Sequence, residues 1–393
     1  MTVSIQELLD AKGNIFESVA TIEEGILAYI GEIHQLKLDK KALVAALNAV
    51  SPTDIPKPHL RLNIPQENNG WGDNLYYKGN DKLSVLSDEV IVCGGRSGII
   101  NTKNDFDFEI DWDRVTFIQG TYPTGWAAQL NRVFGTINDC TFLRIGDELL
   151  THDVGVKDGH PLYFKPTDLG LSITSSKFLE CQGNLQFAAR PWEGYVPERC
   201  YLSFDRNLLV SNSHSPFGHG GGGATNLAIY CATNEGTNVD VTNNVFHNPI
   251  PYLSKAQAAN GPAARGLITL FNEAFYPNKN RMDDGFLPDT DKKFSSAIIT
   301  GNTIRSEVTD RPLFQIQGCD EILIEANDIT IPTDQEFPYP LIRIDHDMNN
   351  PVRAKKIVIE PIDLPGLIQV GEELRPISEG FEYEAAGYSS HTL

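Results

Sequence analysis

The chain has 393 residues, 41% apolar and 21% charged, a composition that belongs to a globular protein and excludes a disordered one. Its formal charge of −20 and pI near 4.8 exclude a nucleic-acid partner as an expectation, because phosphate binding draws on a lysine and arginine surplus absent here. The opening Met1-Thr-Val-Ser-Ile-Gln-Glu7 has no basic n-region and no long apolar run, so the sequence predicts no signal peptide, no membrane span and synthesis in the cytoplasm.

Residues 1–50 differ in kind from the rest. Ile15, Val19, Ile22, Ile26, Tyr29, Ile33 and Leu36 alternate spacings of four and three, which predicts a helical, coiled-coil-like seam. Isoleucine at both seam positions favours three or more strands, so the segment reads as a trimerisation and attachment region. The alternative is a helical hairpin packed on its own domain, because Leu27 and Ile30 widen the apolar stripe. A second helix is expected through Lys40–Asn48, stopping before Ser51-Pro52. Residues 51–99 read as a linker and opening cap: Pro52, Pro56, Pro58 and Pro65 exclude regular helix and central strand, and Lys82–Val92 reads as a first strand or cap.

From 100 to 350 one pattern recurs, with an apolar residue at i, a polar one at i+3 and an apolar one at i+5. Its copies are Ile110-Asp113-Val115, Ile137-Cys140-Phe142, Ile173-Ser176-Phe178, Phe204-Asn207-Leu209, Val241-Asn244-Phe246, Ile299-Asn302-Ile304 and Ile324-Asn327-Ile329, starting 27, 36, 31, 37, 58 and 25 residues apart. Each copy is followed by a second apolar strand: Trp126–Leu130, Leu162–Phe164, Leu185–Phe187, Leu227–Cys231, Leu267–Phe271, Leu313–Ile316 and Leu341–Ile344. The unit is therefore strand, polar corner, short strand, loop, second strand and return turn, repeated as a solenoid. A β-sandwich, the rival architecture, carries no fixed i, i+3, i+5 register. Asn207, Asn244, Asn302 and Asn327 are expected to form a structural amide ladder, since asparagine tolerates left-handed backbone and both donates and accepts.

The runs Asn238-Val-Asp-Val-Thr-Asn-Asn-Val-Phe-His-Asn248, Ser296-Ala-Ile-Ile-Thr-Gly-Asn-Thr-Ile-Arg-Ser306 and Asp320-Glu-Ile-Leu-Ile-Glu-Ala-Asn-Asp-Ile-Thr-Ile331 resemble rungs of right-handed, single-stranded parallel β-helix proteins of the pectate-lyase-like superfamily. That resemblance implies an all-β fold, and the superfamily includes polysaccharide lyases, glycoside hydrolases and the trimeric tailspikes and fibres of bacteriophages. With the helical seam, the acidic charge and the missing signal peptide, it is most similar to a virion appendage. The implied partners are other copies in a homotrimer, other virion proteins and host-surface polysaccharide, with the chain localised to the virion. The alternative is a polysaccharide-degrading enzyme, a glycoside hydrolase or lyase, on the same scaffold.

Chemistry is expected in the insertions, because the rungs specify architecture and not activity. Asp283, Asp284, Asp289 and Glu193 are the acidic candidates for a glycosidase pair, while Arg190, Arg265 and the histidines are the basic candidates for a lyase. Trp192, Tyr195, Phe217 and Tyr276 could stack on sugar rings or pin their own loops. His214 and His219 sit beside four consecutive glycines, Gly220–Gly223; a metal there lacks a fixed third ligand, so no metal or other cofactor is expected, and Ca²⁺ enters only under the lyase alternative. Cysteines 93, 140, 181, 200, 231 and 319 are scattered without metal spacing and read as small buried residues of a reducing compartment, with disulfides as the alternative. Past the repeat, residues 351–393 offer a closing strand at Lys355–Glu360, then a polar, aromatic tail, Phe381–Tyr388, that either lies against a partner or frays.

Overall fold

The computed structural model describes residues 59–62, 75–77, 85–93, 97–101, 107–119, 126–143, 145, 160–179, 181, 185–189, 197–210, 227–231, 233, 235–248, 266–272, 294–306, 312–333, 337, 339–344 and 354–389. The seam from Ile15 to Leu36 lies outside them. What is described is almost entirely strand, and the strands form three parallel ladders that the chain visits in turn.

Ladder I contains Val85–Ser87, Phe108–Asp113, the second halves of Trp126–Asn138 and His160–Thr174, Arg199–Asp205, Gly236–Thr242, Phe294–Thr300, Cys319–Glu325 and Lys356–Ile359. Ladder II is a nine-stranded sheet of short strands, from His59–Leu62 through Thr116–Gln119, Lys177–Leu179 and Val245–Asn248 to Asp328–Thr330. Ladder III runs from Leu75–Tyr77 and Ser97–Asn101 through the first halves of the two long strands, then Leu185–Ala189, Leu227–Cys231, Ile268–Asn272, Phe314–Ile316, Ile342–Ile344 and Leu367–Val370. Every strand pairs with the one a full coil later, so the arrangement is solenoid-like and nearly closed in cross-section. The ladders reach beyond residues 100–350 at both ends: Lys82–Val92 holds two strands, Val85–Ser87 and Glu89–Cys93, each in a different ladder.

Alternation along each strand turns one set of side chains into a shared core. In ladder I the inward column is Leu86, Trp112, Ile137, Ile173, Phe204, Val241, Ile299, Ile324 and Ile359, all buried. That register corrects the first repeat. Trp112 pairs with Ile137, so the copy equivalent to Ile137-Cys140-Phe142 is Trp112-Val115-Phe117, not Ile110-Asp113-Val115. A slip of two residues leaves every side chain on the same face, which is why apolar patterning did not resist it.

The corner between ladders I and II is one residue in left-handed conformation: Asp88, Arg114, Asp139, Ser175, Arg206, Asn243 and Ala326 have φ between 46° and 55°, and Gly301 has φ 66°. The left-handed residue is thus the one before the slot asparagine, so tolerance of positive φ is not the reason asparagine occupies the slot. The reason is hydrogen bonding. Asn244 Nδ2 donates to Asn302 Oδ1 at 3.0 Å and to Phe204 O at 2.9 Å, while its Oδ1 accepts from the N–H of Asn207 at 2.9 Å and from Asn207 Nδ2 at 3.0 Å. Asn302 and Asn327 repeat the arrangement, with Asn302 Nδ2 on Asn327 Oδ1 at 2.9 Å and Asn327 Nδ2 on Ile299 O at 2.8 Å. The two middle amides, Asn244 and Asn302, therefore use both hydrogens and both lone pairs inside the protein, where an unmade bond is costly. At the N-terminal end of the column Ser176 Oγ accepts from Cys140 N at 3.1 Å, and Val115 fills the slot with no polar side chain.

The C-terminal end closes differently. Glu373–Pro376 pairs antiparallel with Leu367–Val370, and Phe381–Glu384 pairs antiparallel with Lys356–Ile359, ending both ladders. The aromatic tail lies against the chain's own last coils: Tyr388 donates to Glu321 Oε1, and Lys355 Nζ stands 5.5 Å from its ring centre. Cys140, Cys181, Cys200 and Cys319 are buried, and burial pushes the Cys140 thiol up to about 12.

Candidate functional site

Of the three ladders, ladder III stands between the insertions. Residues 211–226 and 249–265 lead into its strands Leu227–Cys231 and Ile268–Asn272, while residues 190–198 and 273–293 lead out of Leu185–Ala189 and Ile268–Asn272. Arg190, Trp192, Glu193, Tyr195, His214, Phe217, His219, Arg265, Tyr276, Asp283, Asp284 and Asp289 all belong to these segments and lie outside the described residues. What connects them is therefore the strand set they border.

From Trp126–Asn138 onward each parallel strand of ladder III carries the same triplet, apolar, variable, apolar. The flanking residues (Ala128 and Leu130, Leu162 and Phe164, Leu185 and Phe187, Leu227 and Ile229, Ile268 and Leu270, Phe314 and Ile316, Ile342 and Ile344) are buried in the core. The middle residues point to the other side. Parallel register stacks them in one column: Gln129, Tyr163, Gln186, Ala228, Thr269, Gln315, Arg343, Gln369 and then Leu374 of the capping strand. Adjacent members are about 4.8 Å apart, the strand spacing. None of them is a carboxylate, in a chain that holds 52.

This column is outward-facing yet sinks from view along its length. Gln129, Tyr163 and Gln186 are half-buried, while Thr269, Gln315 and Arg343 are buried. Its side chains bond to the chain itself: Gly266 N donates to Gln315 Oε1 at 3.1 Å, Thr269 Oγ1 donates to Gly266 O at 3.0 Å, and Arg343 Nε donates to Gln369 Oε1 at 3.3 Å. Burial holds the Arg343 guanidinium below its ordinary value. Gln317, two residues past Gln315, keeps its N–H in the ladder on Leu270 O at 3.0 Å, and its Oε1 is buried without a hydrogen-bond partner. Beside the column, Lys165 Nζ lies 5.9 Å from the ring centre of Tyr163.

The outer face of ladder I has the opposite chemistry. Asp111, Asp113, Asp205, Asp240 and Glu325 stand there among Thr136, Asn138, Ser172, Thr174, Ser203 and Thr242. Neighbouring coils bond across it, with Asn138 Nδ2 on Asp113 Oδ1 at 2.8 Å and Thr242 Oγ1 on Asp205 Oδ1 at 2.8 Å. Tyr201 donates to Asp240 Oδ2 at 2.5 Å; that bond, with partial burial, pushes the phenol up to about 12. Asp111, Asp113, Asp205 and Asp240 are engaged in holding coil to coil. Among the described residues no three histidine, cysteine, aspartate or glutamate side chains are placed to share a metal ion, and no helix is long and apolar enough to cross a membrane.

Reading the second strands only for their apolar content hides this carboxylate-free column. Aligning them on the flanking apolar pair brings glutamine, tyrosine, threonine and arginine into one position, and that signal is present in the sequence alone. Set against known proteins, the chain matches no family model, no curated protein and no solved structure.

Proposed function

We propose that this chain is a right-handed parallel β-helix of the pectate-lyase-like type, working as a homotrimeric bacteriophage virion appendage, of tail-fibre or spike kind, that contacts host-surface glycan through the outer face of ladder III. Handedness rests on the general rule that parallel strands joined by a crossover connect right-handedly. Trimerisation and attachment rest on the isoleucine seam of residues 15–36. The single observation that carries the glycan reading is the carboxylate-free column from Gln129 to Gln369, bordered at both edges by the chain's long insertions.

Amides and hydroxyls are suited to sugars because each group both donates and accepts, as sugar hydroxyls do. A column with such residues in most of its coils, Ala228 and Arg343 being the exceptions, offers repeated contacts to a repeated polymer, at a spacing fixed by the backbone. Tyr163 adds an aromatic ring, and the aromatic residues of residues 190–198 and 273–293 extend the same edge in sequence.

Two measurements test this. Light scattering of the full chain is expected to return three times the 43.5 kDa protomer mass, and a monomer overturns the trimer. Binding to a panel of bacterial surface polysaccharides is expected to weaken when Tyr163→Ala and Gln186→Ala are combined; no binding to any glycan overturns the contact role. New reducing ends or unsaturated uronate absorbance after incubation would shift the function to the polysaccharide-degrading alternative.

A further inference from the structure

The C-terminal end of the solenoid departs from the rule that governs the rest. Among the described strands every pairing is parallel except two, Leu367–Val370 with Glu373–Pro376 and Lys356–Ile359 with Phe381–Glu384, and these two cover the last edges of ladders III and I. Opposite residues of an antiparallel pair share a face, so Arg375 and Glu373, opposite the buried Ile368 and Val370, stand on the core side. There they form an ion pair, and the Arg375 guanidinium lies 5.0 Å from the ring centre of Phe381. Charge thus occupies the place where a further coil would set two apolar side chains, and an arriving strand would have to strip that pair of water.

The return strands are equally unsuited to a partner at their own outer edges. Ala385 N donates to Lys355 O at 2.8 Å, and alternation along the antiparallel pair then turns the backbone groups of Phe381 and Tyr383 toward Lys356–Ile359 and those of Glu382 and Glu384 away from it. Both glutamates are exposed, and the same edge of a second copy would set carboxylate against carboxylate. Pro376 ends the other return strand with no N–H to offer. Residues 372–384 hold five glutamates against one arginine. Inward-pointing charge, edge charge and proline are general means of keeping a sheet edge from pairing. Two features hold the return in place. Gly380 turns at φ 64°, where a Cβ would stand 2.6 Å from Ile359 O, and Tyr388 reaches past Lys356–Ile359 to Glu321 of the strand before.

At the opposite end Val85–Ser87 and Leu75–Tyr77 open ladders I and III, and among the described residues each pairs only with the strand one coil later. Bare edges at Lys356–Ile359 and Leu367–Val370 would therefore match the opening strands of a second copy in direction and spacing. Such a contact is head-to-tail and does not close, so it would run on as a filament. We infer that residues 371–388 are an end stop, which covers the edges on which a second copy would continue the ladders and so keeps the chain from joining end to end. This stands apart from the glycan and virion readings above.

Sedimentation velocity on the full chain tests this. The wild-type chain is expected to keep one mass at every concentration. Two variants are expected to raise the mass at least about twofold as concentration rises, because the smallest end-to-end assembly is a pair. One combines Glu373→Val with Arg375→Val, which replaces the ion pair by apolar side chains; the other is Gly380→Val, which dislodges Phe381–Glu384. Electron micrographs of either assembly should show particles joined at their ends, and circular dichroism with a cooperative melt checks that each variant is folded. Folded variants of unchanged mass, or amorphous aggregate in place of end-joined particles, overturn the end stop. So does a wild-type chain that itself lengthens with concentration. If both variants fail to fold, Glu382→Thr combined with Glu384→Thr, at exposed positions, carries the test: two cap edges are expected to pair, and a mass equal to that of the wild type overturns the proposal.

Discussion

The two halves of the solenoid turn the same corner and hold it with different interactions. In the N-terminal coils the corner slot carries Val115, Cys140 and Ser176, and the core behind it is aromatic: Phe117, Phe142 and Phe178 stack with centroids 4.7 and 4.8 Å apart, and Trp112 packs on Phe117 and Phe164. In the C-terminal coils the slot is asparagine four times running, and the core is mainly aliphatic, with Val241, Ile299, Ile304 and Ile324. The backbone is alike in both, one left-handed residue per corner. Asparagine is therefore not what makes the chain turn. It is one of two ways to bind coil to coil, by a chain of satisfied amides or by a column of stacked rings.

The largest effect that can break this comparison is in the aromatic half. Phe142→Ala removes the middle ring of the stack and should cost about 3–5 kcal/mol, read as a drop in the urea midpoint at unchanged slope. In the asparagine half, Asn244→Ala strands the N–H of Asn207 and the carbonyl of Phe204 in the interior, for a loss of about 2–4 kcal/mol. Hydrogen exchange should then place the opening in the coils flanking residue 244, with the aromatic coils protected.

Two smaller changes sharpen it. Ser176→Asn extends the ladder by one coil, since a side chain there can reach Asn207 Oδ1 and still accept from Cys140 N; a gain of up to about 1 kcal/mol is expected. Ala326→Gly relieves a left-handed alanine at φ 52° and should gain about 1 kcal/mol, with Asn327 and its bonds unchanged. The smallest effect is in pH. Burial pushes the Asp205 carboxyl up, but hydrogen bonds from Asn243, Thr242 and Arg206 outweigh it and leave it below the usual range. A lowered folded-state value contributes stability above the unfolded-state pKa of roughly 4 and loses it as pH falls through the folded-state value. Asp205→Asn should therefore lower the urea midpoint slightly at neutral pH and leave it little changed in acid, which flattens the acid limb of a plot of midpoint against pH.

Much of the fold was legible in residues. The second strands named from apolar content, such as Leu227–Cys231 and Leu313–Ile316, fall in ladder III, and the late repeats from Phe204 onward take the register their spacing implied. The misread copy, Ile110-Asp113-Val115, is the one where Asp113 imitates a polar slot and a valine fills the true one. Two long strands, Trp126–Asn138 and His160–Thr174, run through what the sequence divides into strand, turn and strand, because Arg132 turns at φ 54° from ladder III into ladder I within one continuous strand and the register shifts between Lys165 and Leu171 in the other. The site was less legible. Loop residues such as Trp192 and His214 drew attention through their chemistry, whereas Gln186, Gln315 and Arg343 sit in strands that read as core.

By itself the sequence determined the solenoid repeat, the asparagine slot and the positions of the insertions, since all three are set by which residues recur along the chain. Only the tertiary structure decided the register of the first coil, the left-handed residue of the corner and the joining of Gln129, Tyr163, Gln186, Gln315 and Arg343 into one column. Those depend on which residues meet across coils, and along the ladder III column neighbouring side chains lie 23 to 46 residues apart in sequence.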